Sequence, residues 1–593
     1  MKDNSKFSFV CDDINNGHNN ADEIINTISC YGIDFVFFVP GKLLYPLINS
    51  IDKSEINGIV CAHETGCGFM ADGYSRASQK FGVCFAISGP GVMNLVPAMA
   101  AAQADKVPVL YLSGSIATYH ESQGAFQDGS GNGLSELGMV KNIINSSSEI
   151  KNNTILKYEL RNSIRCLNNR IKGRSYLSIP IDIQKKEPYI PDGFREYNLS
   201  EINKSSVDVF ALDEVIESCF LGEKRIAILS GGKVNNKDSA LLLKELAMKY
   251  NIPISVTLSG KGAFPEGHPL FLGIYGFAGH MQSIELINNH IDVLIVIGSH
   301  LNQRDSLHWS PKLHKNKKII LIDDELDGDM HYYPNVNILS SIDEAMKHII
   351  DGVSDDDIKL KRLKYKRSEW IRSIKESICF SSYIKNDVLI ENKSINPKDA
   401  IFTLRRLIPS DANVVVDSGA HRIFMAHYWE SSGLGEYYTS SSLAPMGWAI
   451  CAGIGIKIAL PERECMVVTG DGCMLMHGIE IQTAARYGIK VLFIVMNNSS
   501  HGAIYSDTLK GNGISEKYSA LPSHDWVGFS QSLGVRSIRV STVNELDNAV
   551  HMYKRMNSPF LIDVVVSNDT PPNKFYSDSA TEFESTFSSK ILK

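Results

Sequence analysis

The sequence predicts an α/β protein with three doubly wound parallel-sheet domains. Apolar runs rich in β-branched residues alternate with helix-like stretches along almost the whole chain, which is the pattern of parallel sheets covered by helices. A length of 593 residues exceeds what one hydrophobic core supports and suggests three or four domains of about 150 residues each. Glycines follow several of the apolar runs, as expected where a strand leads into a helix.

The apolar runs fall into three consecutive sets. The predicted strands are 34–39, 83–88, 107–112 and 176–181 in the first set, 226–230, 254–258, 293–297 and 319–322 in the second, and 414–416, 465–469, 491–496 and 560–566 in the third. The polar stretch 192–206 indicates a linker. A charged helical stretch at 355–375 leads to Asn396-Pro397, which is a helix-start signal. We therefore place domains at 19–190, 205–352 and 396–568, a linker at 353–395, and polar tails at 1–18 and 569–593.

Composition narrows the class of function. The net charge of −7 provides no basic surface for nucleic acid or for anionic membrane. No apolar run reaches membrane-spanning length, and the polar N-terminal stretch lacks the apolar core of a signal peptide. The eleven cysteines are scattered without a Cys-x-x-Cys motif, which is typical of reduced thiols in a cytoplasmic protein. We expect a cytoplasmic protein that acts on small molecules.

Two strand ends in the third set hold the most informative motif. One apolar strand ends in Gly470-Asp471-Gly472, and the next ends in Asn497-Asn498. The interval leaves room for one helix and a return strand, so both ends can lie at the same sheet edge. A carboxylate, an amide oxygen and a carbonyl suit a hard cation such as Mg²⁺, and the glycines and the helix N-terminus suit a diphosphate. The alternative is an ordinary βαβ turn.

This spacing resembles that of thiamine-diphosphate enzymes. The resemblance implies that Asp471, Asn498 and the Ser500 carbonyl hold Mg²⁺ and the diphosphate of the cofactor. Thiamine chemistry also needs a carboxylic acid beside the aminopyrimidine ring, because the imino tautomer removes the C2 proton and forms the ylid. Glu64, at a strand-to-helix turn, is the candidate. The alternative for Glu64 is an acid favoured by the helix dipole alone.

Longer segments make the resemblance more specific. Those that carry it are Gly32-Ile-Asp-Phe-Val-Phe-Phe-Val-Pro-Gly41, His63-Glu64-Thr-Gly-Cys-Gly-Phe-Met-Ala-Asp-Gly-Tyr-Ser-Arg76, Ser88-Gly-Pro-Gly-Val-Met-Asn94, and the stretches 104–114, 125–127 and 173–182. They resemble the N-terminal pyrimidine-binding domain of acetolactate synthase and its relatives. The similarity continues through a middle Rossmann-like domain and a C-terminal diphosphate-binding domain, and it omits only the tails and linkers.

The resemblance assigns roles to individual positions. Glu64 is the acid that forms the ylid, and Phe126 and Gln127 lie near the reacting carbon. Met446 holds the cofactor in a bent shape that brings the imino nitrogen near C2, although plain core filling is the alternative. The remaining implied cofactor contacts are Pro40, Gly41, Asn94, Gly419, Ala420, His421, Ala444, Gly470, Gly472, Cys473, Gly502, Ala503 and Ile504. Ala420 replaces a Gln of the family, so one hydrogen bond to the diphosphate is expected to be missing.

Three histidines near the motifs differ in their expected roles. His501 follows the metal-binding turn and is expected to face the pocket, where it is a candidate for substrate handling. His63 and His120 fit structural roles better than catalytic ones.

The middle domain raises the question of flavin. Gly231-Gly232, 257–262, 298–304 and 321–324 align with stretches that contact FAD in the family. Glycines after strands admit a diphosphate, and an acid at a strand end can bind ribose hydroxyls. Such turns are common in Rossmann-like domains, so both bound FAD and a flavin-free scaffold remain open.

Three positions depart from the family. Acetolactate synthases have Met where Ala503 stands, Trp where Asp507 stands, and Gly where Lys42 stands. Because that Trp shapes the acceptor pocket, its loss puts branched-chain amino-acid synthesis in doubt. Lys42 could receive an anionic substrate or could point to solvent. The departures favour a specialised relative, for example in a secondary or surface-sugar pathway.

The resemblance implies a reaction and an assembly. The ylid attacks a 2-oxo acid, most simply pyruvate, CO₂ leaves, and the resulting carbanion-enamine adds to an acceptor carbonyl. Glu64 is expected to drive this chemistry, with Phe126, Gln127, Lys42 and His501 handling substrates. The two cofactor domains meet across subunits in the family, which implies a homodimer or homotetramer. The alternatives are a non-ligating decarboxylase, a flavin-linked oxidase, and an inactive cofactor-binding regulatory subunit.

Overall fold

The computed structural model describes residues 18–144, 146–168, 173–191, 194, 207–325, 332–377, 394–509, 514–569 and 571. Within these residues the strands form three six-stranded sheets, and every strand pairs in parallel. Helices flank each sheet, so the predicted architecture of three α/β domains is confirmed. A division near residue 202 separates two compact units, of which the first holds one sheet and the second holds two.

The first sheet has the strand order β2-β1-β3-β4-β6-β5. Its strands are β1 (Phe35–Phe38), β2 (Asn57–Val60), β3 (Gly82–Ile87), β4 (Val109–Ser115), β5 (Ser146–Glu149) and β6 (Ser175–Pro180). Its α-helices are Asn20–Cys30, Tyr45–Ile51, Glu64–Ser78, Pro90–Ala104, Glu136–Val140, Leu156–Asn168 and Ile181–Gln184, with 3-10 turns at Lys42–Leu44, Thr118–His120 and Asn153–Ile155.

The second sheet has the order β12-β11-β10-β7-β8-β9. Its strands are β7 (Ile226–Ser230), β8 (Ile254–Val256), β9 (Phe271–Ile274), β10 (Val293–Ile297), β11 (Lys318–Asp323) and β12 (Val336–Leu339). Its helices are Val209–Val215 with a π turn at Ile216–Phe220, then Lys237–Tyr250, Met281–Asn289, Ile342–Asp351 and Ile358–Ser377, with 3-10 turns at Gly232–Val234 and Pro311–Leu313. Numbered within the sheet, this order is 3-2-1-4-5-6, that of dinucleotide-binding folds.

The third sheet has the order β14-β13-β15-β16-β18-β17. Its strands are β13 (Asn413–Val416), β14 (Tyr437–Tyr438), β15 (Cys465–Gly470), β16 (Leu492–Asn497), β17 (Arg536–Val540) and β18 (Phe560–Val565). Its helices are Pro397–Leu407, Ala420–Tyr428, Trp448–Ala459, Asp471–His477, Ile481–Arg486, Gly502–Leu509, Trp526–Ser532 and Val543–Lys554, with 3-10 turns at Gly478–Glu480 and Glu516–Tyr518. The first and third sheets share the internal order 2-1-3-4-6-5.

The central strands explain why the sheets are visible in the sequence. Every residue of β7, β10, β15 and β16 is buried, because a parallel sheet covered on both faces needs apolar residues without alternation. The helix-start signal also holds, since the Asn396 side chain accepts a hydrogen bond from the Lys398 amide at the first turn of Pro397–Leu407.

Several predicted segments lie wholly or mainly outside the described residues. These are the two tails apart from His18, Asp569 and residue 571, the linker 192–206 apart from residue 194, and residues 378–393 of the second linker. The helix Ile358–Ser377 lies entirely within the described part of the second linker. Among the helices of the described chain, none combines the length and the apolar character needed to cross a membrane.

A buried polar seam joins the second and third sheets inside the second unit. The rings of His280 and His427 lie 4.4 Å apart between centroids. Lys261 Nζ donates hydrogen bonds to Glu266 Oε1 at 2.6 Å and to the Trp429 carbonyl at 2.7 Å. Burial, with the charge of Lys261, lowers the pKa of His427 to about 4, and burial beside His427 and Lys261 lowers the pKa of His280 as well. Both histidines are therefore neutral in the folded protein at neutral pH.

We expect the seam to make stability depend on pH. An unfolded histidine has a pKa near 6.5, whereas His427 in the folded protein has a pKa of about 4. Between these two pH values the unfolded chain therefore binds a proton at this position that the folded protein does not. Stability from this group is complete above about pH 6.5 and is lost as the pH falls towards 4. Between pH 7.5 and 4.5, the urea concentration at the unfolding midpoint should fall less in the variant His427→Gln than in the wild type. The exposed His551→Gln serves as the control, and equal pH dependence in His427→Gln and wild type would contradict the assignment.

Candidate active site

A cavity of about 380 Å³ lies at the carboxyl edge of the third sheet. It sits where the strand order reverses between β13 and β15, which is where open α/β sheets bind ligands. The predicted residues that line it are Gly419, Ala420, His421, Ala444, Met446, Gly470, Asp471, Gly472, Cys473, Asn498, Ser500, His501, Gly502, Ala503 and Ile504. The structure thus gathers the C-terminal candidates around one space.

Asp471 lies at the first position of the helix that follows β15, and it is buried. Its Oδ2 accepts hydrogen bonds from the Asn498 amide at 3.0 Å and from the Ser500 amide at 3.3 Å. Its Oδ1 is buried and has no hydrogen-bond partner among the described residues. Burial raises the pKa of Asp471 to about 6, although the two amides oppose the rise. One carboxylate oxygen therefore holds the neighbouring turn, and the other remains available.

The two adjacent asparagines differ in surroundings. Asn497, the last residue of β16, donates from Nδ2 to Asp563 Oδ1 at 2.8 Å inside the sheet. Asn498 lines the cavity, and its carbonyl accepts a hydrogen bond from Asn568 Nδ2 at 3.3 Å. The chain then turns through Ser499 with a left-handed φ of 51°. Asn497 thus supports the fold, and Asn498 is the asparagine available to a ligand.

These residues fit a divalent cation with a diphosphate. The donors around Asp471 are a buried carboxylate oxygen without a partner, the side chain of Asn498 and the backbone of Ser500. An all-oxygen set of this kind suits Mg²⁺, which usually also binds phosphate oxygens.

Gly472 lets two side chains pack closely against the helix at the cavity wall. A Cβ at this position would stand 2.7 Å from His501 Nδ1 and 2.7 Å from Met446 Cε. Because real Cβ atoms do not approach that closely, only glycine leaves both side chains in place. The helix Asp471–His477, Met446 and His501 therefore meet around a position without a side chain.

His421 lines the cavity from the start of the helix Ala420–Tyr428. Burial, with the charge of Arg422, lowers the pKa of His421 to about 3, so its imidazole is neutral. Its Nε2 is buried and finds no hydrogen-bond partner in the described part of the chain. Cys473 is also buried and donates its thiol to the Ser418 carbonyl at 3.1 Å.

Asp417, which the motif analysis missed, organises the loops of this cavity. It directly follows β13 and is buried. Its Oδ1 accepts from the Ser418 and Gly447 amides, both at 2.9 Å, and its Oδ2 accepts from Thr469 Oγ1 at 2.9 Å. Burial raises the pKa of Asp417 to about 6. The only sequence signal was an acid at the end of a predicted apolar strand, immediately before Ser418-Gly419.

The N-terminal candidates lie in the first unit. Glu64 is half-buried at the first position of its helix, and its Oε2 accepts a hydrogen bond from Asn94 Nδ2 at 2.9 Å. A Cβ on Gly91 would stand 3.3 Å from Glu64 Oε1. The structure therefore brings Glu64 and Asn94 together. His63 caps the same helix by accepting from the Thr65 amide at 3.1 Å, which is a structural role.

The other N-terminal candidates lie on loops. Phe126 is 85% exposed. Gln127 has a left-handed φ of 58° and packs beside Gly89. Gly41 packs against Ile87, since a Cβ there would come within 2.1 Å of Ile87 Cγ2. The flanking Pro40 and Lys42 are exposed, and so is His120, whose ring lies 4.5 Å from that of Tyr119.

Glu136 is a second acid that the motif analysis missed. It is buried, and its Oε1 accepts from Ser88 Oγ at 2.9 Å and from the Gly89 amide, while its Oε2 accepts from Tyr176 at 3.1 Å. Burial raises the pKa of Glu136. Glu136 therefore fixes the turn after β3, beside which Gln127 lies. No motif marked it, because its partners are distant in sequence.

Comparison with known protein families agrees with this architecture. Residues 18–134 match the N-terminal TPP-binding domain of thiamine pyrophosphate enzymes, residues 217–349 match the central domain, and residues 417–564 match the C-terminal TPP-binding domain. The chain belongs to the thiamine-diphosphate enzymes.

Within that class the chain is a divergent relative of the acetolactate synthases. It is 27% identical over 562 residues to a probable acetolactate synthase large subunit of Methanococcus aeolicus, with 92% of each chain covered. It is 28% identical over 564 residues to a probable large subunit of Methanocaldococcus jannaschii, covering 92% of this chain and 91% of the relative. Against the acetolactate synthase isozyme 3 large subunit of Escherichia coli it is 26% identical over 560 residues, covering 92% and 94%.

Gly472→Ala tests the shape of the cavity. The added Cβ would displace His501 and Met446, and overpacking of this kind costs about 1–3 kcal/mol. We expect the affinity for thiamine diphosphate to fall by about tenfold or more, measured by calorimetric titration in saturating Mg²⁺. The control is Gly131→Ala, where a Cβ would meet nothing within 4 Å. Wild-type affinity in Gly472→Ala would show that the cofactor binds elsewhere.

Proposed function

We propose that the chain is a thiamine-diphosphate-dependent carboligase that decarboxylates a 2-oxo acid, most simply pyruvate, and joins the acyl unit to an acceptor carbonyl. The observation that carries this proposal is the pairing of Glu64 with Asn94 in one cofactor domain and of Asp471 with the Asn498 turn in the other. Both acids lie at the N-terminus of a helix that follows a strand. An inactive cofactor-binding subunit would have no need of the Glu64 carboxyl.

The proposed roles follow from the contacts of each residue. When bound, thiamine diphosphate supplies a nucleophilic carbon and an electron sink. Asp471, Asn498 and the Ser500 carbonyl would hold Mg²⁺, and His421 and the glycines at 419, 470 and 472 would contact the diphosphate. Asn94 orients the Glu64 carboxyl, which would exchange a proton with the aminopyrimidine ring. Met446 and His501, in contact with the Gly472 position, would line the reacting space.

The acceptor is proposed to differ from that of the acetolactate synthases. Ala503 and Asp507 both line the cavity, where the resemblance places Met and Trp. A small residue and a carboxylate make this wall roomier and more polar, which supports an acceptor with hydroxyl or other polar groups. This supports a specialised pathway, with Lys42, Phe126 and Gln127 as further candidates for substrate handling.

We further propose a homodimer or homotetramer in the cytoplasm. Leu475, Met476 and Ile479 are apolar and 48–53% exposed, and they follow Asp471 in the chain. An exposed apolar patch beside a binding site favours association, and the second copy would cover it. The cysteines that the structure describes are not joined in disulfides, which supports a reducing compartment.

The decisive experiment is product analysis. The protein is incubated with Mg²⁺, thiamine diphosphate and a panel of 2-oxo acids, with and without aldehydes and ketones, and products are identified by mass spectrometry. We expect CO₂ and a product with the combined mass of acyl unit and acceptor. An aldehyde alone would favour the non-ligating decarboxylase, oxygen consumption the oxidase, and no release of CO₂ the inactive subunit.

Glu64→Gln tests the mechanism within the same assay. Without a titrating proton, turnover should fall by about 10²–10⁴-fold, while thiamine diphosphate still binds. Glu55→Gln, which changes an exposed acid of the same domain, should retain full turnover. Unchanged turnover in Glu64→Gln would refute the proposed role.

Asp471→Asn tests the metal site. Loss of the carboxylate charge should raise the Mg²⁺ concentration needed for half-maximal binding of thiamine diphosphate by at least about tenfold, on the order of 1.4 kcal/mol. The exposed Asp411→Asn is the matched control. If both variants require the same Mg²⁺ as the wild type, Asp471 does not hold the metal.

A further inference from the structure

The second sheet has the strand order of dinucleotide-binding folds, so its own crevice can be compared with what a flavin dinucleotide needs. In such folds the ligand lies across the carboxyl edge where the order reverses, which here is between β7 and β10. The diphosphate needs an open turn after the first strand and a free helix N-terminus. The ribose needs an acid at a strand end.

The turns after β7 and β10 lie against each other. The Gly231 amide donates to the Ile297 carbonyl at 2.8 Å, and the Lys233 amide donates to the Gly298 carbonyl at 3.4 Å. A Cβ on Gly231 would come within 2.1 Å of the Gly298 carbonyl oxygen. The glycines at this point therefore let two turns of the protein approach each other.

Lys233 spans the crevice from one strand end to another. Its Nζ lies 2.5 Å from Asp323 Oδ1, 2.6 Å from Asp324 Oδ1 and 3.3 Å from Glu325 Oε2. The lysine follows β7, whereas Asp323 ends β11 and the other two acids follow it, with β10 between those strands. We call these four residues the Lys233 cluster. The acid expected to bind ribose is thus already paired with a lysine.

The acids of the Lys233 cluster are committed to the lysine. Three acidic side chains contact one ammonium group, and Asp323 is fully buried while Glu325 is largely so. Asp323 Oδ2 has no hydrogen-bond partner among the described residues, but a ribose could use Asp323 Oδ1 only by displacing Lys233.

The residues just before the helix N-terminus beside the crevice contact the third-sheet domain. Asn236 caps the helix Lys237–Tyr250 by accepting from the Ser239 amide at 3.1 Å. A Cβ on Gly435, in the third-sheet domain, would stand 2.5 Å from Asn236 Cα, and Asn235 Nδ2 donates to the Tyr437 carbonyl. The backbone of the third-sheet domain therefore packs against the residues that lead into this helix.

A second flavin-like stretch, 257–262, also contacts protein. Lys261 has no exposed side-chain surface and bonds to Glu266 and to the Trp429 carbonyl. A Cβ on Gly262 would lie 3.1 Å from the Tyr437 Cβ. This stretch therefore holds the two domains of the second unit together.

We propose that the middle domain of this enzyme is closed to FAD and acts as a flavin-free scaffold, with the Lys233 cluster joining the strand ends that a dinucleotide would bridge. The inference removes the flavin-linked oxidase from the alternatives. It does not depend on carboligation, because it concerns binding in a domain other than the one that holds the cavity.

The test uses the full chain and FAD itself. Protein produced in riboflavin-rich medium is purified, and its visible flavin absorbance is measured. The purified protein is then titrated into FAD while flavin fluorescence is followed, with thiamine diphosphate and Mg²⁺ present. We expect no stoichiometric flavin and no saturable fluorescence change. One FAD per chain in either measurement overturns the proposal, whatever the outcome of the product assay.

Variants test the Lys233 cluster directly. Lys233→Met leaves buried carboxylates without their cation, so the melting temperature should fall by several degrees, and Lys233→Arg should restore most of it. Lys237→Met, which removes an exposed lysine of the adjacent helix, should melt like the wild type. A melting temperature for Lys233→Met equal to that of Lys237→Met would show that the cluster does not hold the strand ends together.

Discussion

The carboxylate of Asp471 is the constraint on which the C-terminal site depends. One of its oxygens receives the amides of Asn498 and Ser500, so the ends of β15 and β16 are tied by a single side chain. A buried carboxylate with only part of its hydrogen-bonding capacity satisfied is costly. The rise in its pKa reflects that cost. A cation at the other oxygen would offset that cost.

Buried acids that accept several hydrogen bonds also fix turns elsewhere in the molecule. Asp417 fixes three donors around the end of β13, and Glu136 fixes the turn after β3 in the first unit. The sheets that carry these acids share one internal strand order. In each case several amides or hydroxyls converge on one buried acid, which fixes the turn. Rigid turns are what a site needs in order to hold a cofactor at a fixed geometry.

The sequence predicted those parts of the fold that depend on local pattern. β7 and β10 were predicted to the residue, because strands buried on both faces are continuous apolar runs. The strands β2, β5, β9, β12, β14 and β17 were missed, and all six lie at the edges of their sheets. Edge strands are short, and some, such as Ser146–Glu149, carry few apolar residues. The inner strand β8 was predicted but ended two residues before its predicted end.

The residues of the candidate site also divide into those marked by a local pattern and those whose partners are remote in sequence. Asp471 and Asn498 were visible because each follows a strong strand at a characteristic interval. Asp417 and Glu136 were not, since their partners Gly447 and Tyr176 are remote in sequence. The pairing of Lys233 with Asp323 required the strand order itself, because only the 3-2-1-4-5-6 arrangement brings the ends of β7 and β11 within reach of one lysine.

The scaffold role of the middle domain follows from how it meets its neighbour. The two domains of the second unit are joined through backbone contacts. Lys261 Nζ donates to the Trp429 carbonyl, and Gly435 lies close to the backbone of Asn236. Arg304 and Phe277 come from the middle domain yet line the cavity of the third sheet, with the guanidinium 4.5 Å from the Phe277 ring centre. The middle domain therefore contributes part of the cavity wall, and a ligand held there would meet side chains of both domains.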